Sequence, residues 1–220
     1  RVRNLADQNS GIQAAYYGFI DRYRQVPGDF GSVAASQAMG VTIVLPAAAS
    51  TTDGNGQLDN TLEEAAAVWE QLAKSQFLGG GFTPATDVPA SEGAYVTDRV
   101  GPSNAFNGAL VLTRNQGYTG TASIRLNLHM GRNVPVTIAR ELDVKVDDGL
   151  PNTGVLRLTN TDGSSTTFDA IEFLPSFADC ATNATANGPT NTAGGNAAAN
   201  STDIYDIFDD FQDCPQVFVY

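Results

Sequence analysis

Leu5, Ile12, Tyr16, Phe19, Tyr23 and Val26 recur at steps of three, four and seven, the spacing that gathers side chains on one stripe of an α-helix. Arg1, Arg3, Asp7, Gln8, Asp21, Arg22 and Arg24 fall on the other side, so the pattern predicts an amphipathic helix laid on a core and not one buried all round. Pro27 drives Val26 out of the helical region and Gly28 supplies the freedom to turn, which should end the helix there. From Leu5 to Val26 such a rod is roughly 33 Å long. The segment from Gly31 to Thr52, including the apolar run from Val41 to Pro46, reads as a loop with short local structure. A second helix follows. Thr61 with Glu64 three residues on makes a capping box, and Leu62, Ala65, Ala66, Trp69, Leu72 and Ala73 form its apolar stripe, ending before Gly79-Gly80-Gly81.

From Ala94 the pattern changes to strands. Ala109 to Thr113 is one, and Gly120 to Met130 is another in which Ala122, Ile124, Leu126 and Leu128 alternate with polar residues, predicting one buried and one wet face. Val136 to Val146 fits a short helix through Ile138, Leu142 and Val146, or a strand through Val144 and Val146; the helix is the preferred reading. Turn residues at 147–154 precede a strand at Val155 to Leu158, and 163–167 is a further turn. Ala181 to Thr202 is built almost entirely of Ala, Thr, Asn, Gly and Ser, too poor in large apolar groups to hold itself in place. Gln216 to Tyr220 adds a closing strand. With no repeat and no linker, the chain reads as one α+β domain over residues 1–220.

Charged residues make up 16% of the chain and the net charge is −12. The surface is polar but mostly uncharged, and an acidic chain lacks the basic face that phosphate neutralisation needs, so nucleic acid is not an expected partner. Cys180 and Cys214 are the two cysteines, with no metal-ligand spacing around them. They read as one disulfide, worth roughly 3.5 to 4 kcal/mol in chain-entropy terms, or else as two unrelated buried thiols. A structural disulfide implies an extracytoplasmic protein. No stretch approaches 18 consecutive apolar residues, and helical patterning is already under way at Arg1, so a segment upstream is expected.

Catalytic chemistry finds little support. His129 is the single histidine; its phase opposite the apolar set of its strand predicts a solvent-facing or hydrogen-bonded side chain, and no nucleophile turn is visible. The best metal candidate is the turn Asp53-Gly54-Asn55-Gly56-Gln57-Leu58-Asp59, where Asp53, Asn55, Gln57 and Asp59 offer alternating oxygens of the kind calcium takes. The charged ends of a full calcium loop are missing, and a plain Asp/Asn/Gly turn is the competing reading. Asp143, Asp147 and Asp148 form a second acidic cluster, read as a solvated turn. Asn183-Ala-Thr185 and Asn200-Ser-Thr202 match the N-glycosylation acceptor pattern.

The amphipathic helix closed by Tyr23-Arg-Gln-Val-Pro-Gly-Asp29, the Asp-Gly-Asn-Gly turn at 53–56, the helix carrying Glu64, Trp69 and Gln71-Leu72, the stretch from Leu142 to Gly154 and the C-terminal cysteine pair together resemble type IV pilins and type II secretion pseudopilins. The resemblance implies a pilin-like fold: a long N-terminal helix packed on an antiparallel sheet, with a disulfide-bounded loop at 180–214. Residues 1–29 would be the C-terminal half of that helix and 30–220 the head. It also implies a non-enzymatic subunit, anchored in the inner membrane by an upstream apolar helix and handled by pilus or secretion machinery. The stripe of Leu5, Ile12, Tyr16, Phe19 and Tyr23 would belong to the filament-packing helix, and the product would be an extracellular, cell-surface filament. No cofactor is implied, calcium at 53–59 aside. The competing classes are a secretion pseudopilin, a secreted binding module or adhesin, and, least supported, a secreted hydrolase.

Overall fold

In a computed structural model, described for residues 1–46, 54–82, 97–121, 123–159, 180–183, 203–208 and 210–220, the opening periodicity becomes one continuous helix, α1 (Val2–Tyr23). Leu5, Ile12, Ala15, Tyr16 and Phe19 are buried, as the stripe requires. Phe19 and Tyr23 stack with ring centroids 4.7 Å apart, and Phe30 and Phe77 complete an aromatic cluster around them. Gly18 allows this approach, since a Cβ there would meet the Phe77 ring at 2.9 Å. The helix ends three residues before the expected boundary. Arg24 turns left-handed at φ 55° and donates its amide to the Ile20 carbonyl, a conformation costing a non-glycine residue about 1–2 kcal/mol. Gly28 then makes the turn at φ +97°, where a Cβ would meet Leu58 at 2.5 Å.

The segment read as a loop after Gly31 contains a helix, α2 (Ser32–Met39), closed by Gly40 at φ 70°. The signal was there: Gly31 and Gly40 bracket an alanine-rich run with good helix propensity but too little apolar periodicity to stand out. α3 (Leu62–Lys74) starts as the capping box requires, with the Glu64 amide donating to Thr61 Oγ1 at 3.2 Å. The Glu64 carboxylate accepts from the Asp59 amide, one turn further out.

α3 is buried on nearly all sides, Glu70 and Gln71 included. These two polar side chains serve as fasteners for the backbone around them. Glu70 accepts from the amides of Val44 (2.9 Å) and Leu45 (3.0 Å) and pairs with Lys74 Nζ at 2.5 Å, while Lys74 also donates to the Thr42 carbonyl. Gln71 accepts from the Gly28 amide and donates to the carbonyls of Phe30 and Leu45. The apolar run at 41–46, which has no strand partner of its own among the described residues, thereby has the amides of Val44 and Leu45 and the carbonyls of Thr42 and Leu45 satisfied.

After α4 (Thr97–Val100), the strands β1 (Val111–Asn115), β2 (Arg125–His129), β3 (Leu156–Leu158) and β6 (Gln216–Val219) form an antiparallel sheet in the order β1-β2-β6-β3. The ambiguous segment is a helix, α5 (Val136–Val146), exposing Val144 and Val146. A separate two-stranded ribbon pairs β4 (Ala181–Asn183) with β5 (Asp203–Tyr205). The C-terminal strand is not an edge: β6 lies between β2 and β3 with all four residues buried. In register, Leu112, Leu128, Phe218 and Leu156 line up across the sheet and share one apolar core with Leu5, Ile12, Phe19 and Trp69. α1 runs beside α5 and α3 and meets the sheet through these side chains. The architecture is therefore α+β, with an N-terminal helix, a four-stranded antiparallel sheet and one disulfide.

Candidate functional site

The stripe on α1 is spent within its own molecule. Leu5, Ile12, Tyr16 and Phe19 are buried and Tyr23 packs against the same core, while Arg1, Arg3, Asn4, Asp7, Ser10, Tyr17, Asp21 and Arg22 remain on the solvent side. Gln8 donates to the Ser103 carbonyl, and the Tyr220 hydroxyl is hydrogen-bonded to Asn9 Oδ1. Between the N-terminal half of α1 and the end of the sheet runs a groove of about 460 Å³, lined by Asn9, Gln13, Arg125, Val155 and Tyr220 among others.

The turn read as a calcium candidate wraps around a carboxylate. Asp29, fully buried, accepts from the amides of Gly54 (2.7 Å), Asn55 (3.1 Å) and Gly56 (2.7 Å), a nest of backbone N–H groups closing on an anion. Asp53 lies outside the described residues. Asn55 donates to Asp59 Oδ2 and accepts from the Gln57 amide, and Gln57 Oε1 accepts from Arg114. The amides of Gly54, Asn55 and Gly56 point inward, and one side-chain oxygen each of Asn55, Gln57 and Asp59 accepts from a protein donor.

His129 overturns the expectation of a wet strand face. It is fully buried, as are Asn127 and Thr113 on the same face of the sheet. Asn127 Nδ2 donates to the Asn115 carbonyl and Oδ1, and Asn115 Nδ2 lies 3.4 Å from His129 Nε2. The face is covered in part by the Asp59–Asn60 turn, which Thr113 Oγ1 reaches, and by a small cluster of Tyr118, Val217 and Val219. Period-two alternation cannot report a second covering layer. Ile124 fails in the opposite sense: it precedes β2 and is exposed, and Ala122 lies outside the described residues.

Burial pushes the His129 imidazole down to about 3, which fixes the sign of its effect on stability. In the unfolded chain it takes a proton near pH 6.5, so between pH 6.5 and 3 the unfolded state binds more protons and acid favours unfolding. The contribution is fully present above pH 6.5, and about 3 kcal/mol of it is gone by pH 4.5. Urea unfolding of His129→Gln across that range should therefore show a smaller acid loss than the parent. Parallel slopes would refute the assignment. Asp143, shifted the opposite way, is present in both proteins and cancels in the difference.

The acidic cluster of the 143–148 segment is not a solvated turn throughout. Asp143, in the last turn of α5, is buried; its Oδ2 accepts from the Tyr205 hydroxyl at 2.6 Å and its Oδ1 from the Gly149 amide at 3.0 Å. Burial raises its carboxyl to about 7, the neighbouring Asp148 and Asp147 add to this, and the two hydrogen bonds oppose it. Tyr205 is raised by burial and by Asp143, and Gln216 Nε2 donates to its hydroxyl at 2.9 Å. Asp147 accepts from the amides of Val155 and Leu156, and Asp148 from the Leu150 amide and Thr153 hydroxyl.

Cys180 and Cys214 are disulfide-bonded with Cα atoms 5.7 Å apart, joining the start of β4 to the approach of β6. Next to the bond, Asp213 pairs with Arg132 at 2.6 Å and accepts from the Asn133 amide. Of the bracketed segment, 184–202 lies outside the described residues, as do 47–53, the turn at 163–167 and most of both glycosylation patterns. On its exit, Ile204, Ile207 and Phe208 are exposed, Phe208 at 92%. No family model matches this chain, and no curated protein or solved structure matches it either.

Proposed function

We propose that this chain is the head of a type IV pilin-like filament subunit, extracytoplasmic and non-enzymatic, that works by polymerising with its copies and presenting its C-terminal edge. The observation that carries the reading is α1: one unbroken helix from Val2 to Tyr23 whose apolar stripe is used up in the core shared with an antiparallel sheet. Its outer face stays free for neighbours. Head-to-tail packing of such a helix is a heterologous contact that does not close, and so yields a fibre. The disulfide agrees with an oxidising compartment, and Ile204, Ile207 and Phe208 offer an apolar contact surface at the bracketed edge.

The coding sequence upstream of Arg1 tests this. A glycine followed by an apolar run of about 20 residues continuing the helix is the expected finding, and the chain extended by it should form filaments visible by electron microscopy. A cleavable secretory leader ending just before Arg1 would retire the filament reading in favour of a secreted binding module.

A further inference from the structure

We propose that the buried contact between Asp143, at the end of α5, and Tyr205, on β5, is a pH-operated latch: with Asp143 protonated it holds the β4–β5 ribbon against the body of the domain, and with Asp143 ionised it lets the ribbon open. The geometry is that of a carboxyl shared across an interface. Asp143 belongs to the helix and Tyr205 to the ribbon, and the Tyr205 hydroxyl donates to Asp143 Oδ2 at 2.6 Å. Gln216 Nε2, from the central strand β6, donates to that hydroxyl at 2.9 Å and to the Ala139 carbonyl of α5 at 3.0 Å. The Gly149 amide completes the set on Asp143 Oδ1. Both side chains are buried, and Tyr205 and Ala181 of the ribbon share a small apolar cluster with Val136 and Ala139 of α5. The contact that ties the ribbon down is thus the one that keeps the carboxyl dry.

An ionised Asp143 would be a full charge met by neutral donors alone. Among the described residues no ion pair reaches it. On its own helix Glu141 and Lys145 pair with each other and Arg140 is exposed; Arg157 of β3 donates to the carbonyls of Gly154 and Thr119, and the charged side chains of α1 stay on the solvent side. What stands near it is acidic. Asp147 and Asp148 bring carboxyl oxygens within 4.8 Å of its own, and Asp203 lies on the same face of β5 as Tyr205. Burial without a counter-charge, beside like charges, disfavours the carboxylate, in keeping with the rise of Asp143 to about 7. Opening the ribbon returns Asp143 to water, where an aspartate ionises near pH 4. Between about pH 4 and 7 the closed form therefore keeps a proton that the open form releases, and rising pH favours opening by up to about tenfold per unit. Above about pH 7 both forms are ionised and the dependence levels off. The inference does not depend on the filament reading.

Amide hydrogen exchange of the full chain, followed residue by residue by NMR and corrected for the intrinsic pH dependence of exchange, tests it. The ribbon ladder and the Asp206 amide, which is bonded to the Cys180 carbonyl, should lose protection from about pH 5 to 7, by up to about tenfold per unit, and level off above that. In Asp143→Asn the fall should vanish. Tyr205→Phe removes a hydrogen bond that favours the carboxylate, so there the fall should run on to a higher pH before levelling; this variant keeps the ring and decides the matter if Asp143→Asn does not fold. Ribbon protection in the parent that is flat from about pH 5 to 8, an undiminished fall in Asp143→Asn, which would assign it to Asp203 or another group, or a levelling point that does not move up in Tyr205→Phe each overturns the proposal.

Discussion

Glu70→Ala should lower the unfolding free energy by about 3–5 kcal/mol, because it leaves Lys74 without its buried partner and the Val44 and Leu45 amides without their acceptor. For a chain of this size that is a Tm drop of about 10 °C. Glu141→Ala is the control: the same i, i+4 pairing to a lysine, but with both side chains more than half exposed, so its cost should stay within about 0.5 kcal/mol. Chemical denaturation of the two variants against the parent measures the difference. Equal costs would show that Glu70 is not what holds residues 42–45 on α3. Gln71 sits one residue on with its own three hydrogen bonds to the 28–30 and 45 backbone, so the region should not detach as a whole in the Glu70 variant.

Reduction of Cys180–Cys214, or the double substitution Cys180→Ser with Cys214→Ser, should cost about 4 kcal/mol, since the bond spans 34 positions in sequence and its loss restores the conformational freedom of that loop in the unfolded chain. The loss should be uneven in the folded molecule. β6 is held on both sides by β2 and β3, and Cys214 donates its amide to the Val134 carbonyl, so the sheet should keep its hydrogen-exchange protection. Besides its own short ladder, the β4–β5 ribbon is held among the described residues by the contacts of Tyr205 with Asp143 and Gln216, by Asn152–Asp203 and by the packing of Ala181 and Tyr205 against Val136 and Ala139, fewer ties than β6 has, and its amides should exchange faster. Protection lost equally from β6 would show that the bond anchors the sheet and not the ribbon.

Elements whose cause is local were legible along the chain. α1, α3 and α5 follow from apolar spacing and, for α3, from a cap made of adjacent residues. β1 and β2 follow from short β-rich runs, and the disulfide from there being two cysteines and no metal spacing. The early stop of α1 was not legible, because Arg24 takes a left-handed cap that its residue type does not announce; the tertiary stack of Phe19, Tyr23 and Phe30 accompanies it. α2 was legible only in part: its flanking glycines and its alanines carry propensity, but without a stripe the segment read as a loop with short local structure.

The candidate site was legible only as composition. Acidic clusters stood out at 53–59 and 143–148, yet that the first wraps a buried carboxylate and the second holds one depends on partners far along the chain: Asp29 for the first, Tyr205 for the second. By itself the sequence determined the amphipathic rod, the helix and strand segments, the acidic balance and the single cross-link, all of which rest on neighbours within a few positions. Only the tertiary structure decided that Asp29, Glu70, Gln71, Asp143 and His129 are buried and that the last strand runs through the middle of the sheet. Burial is set by what the second layer covers, and the residues that do the covering sit tens of positions away.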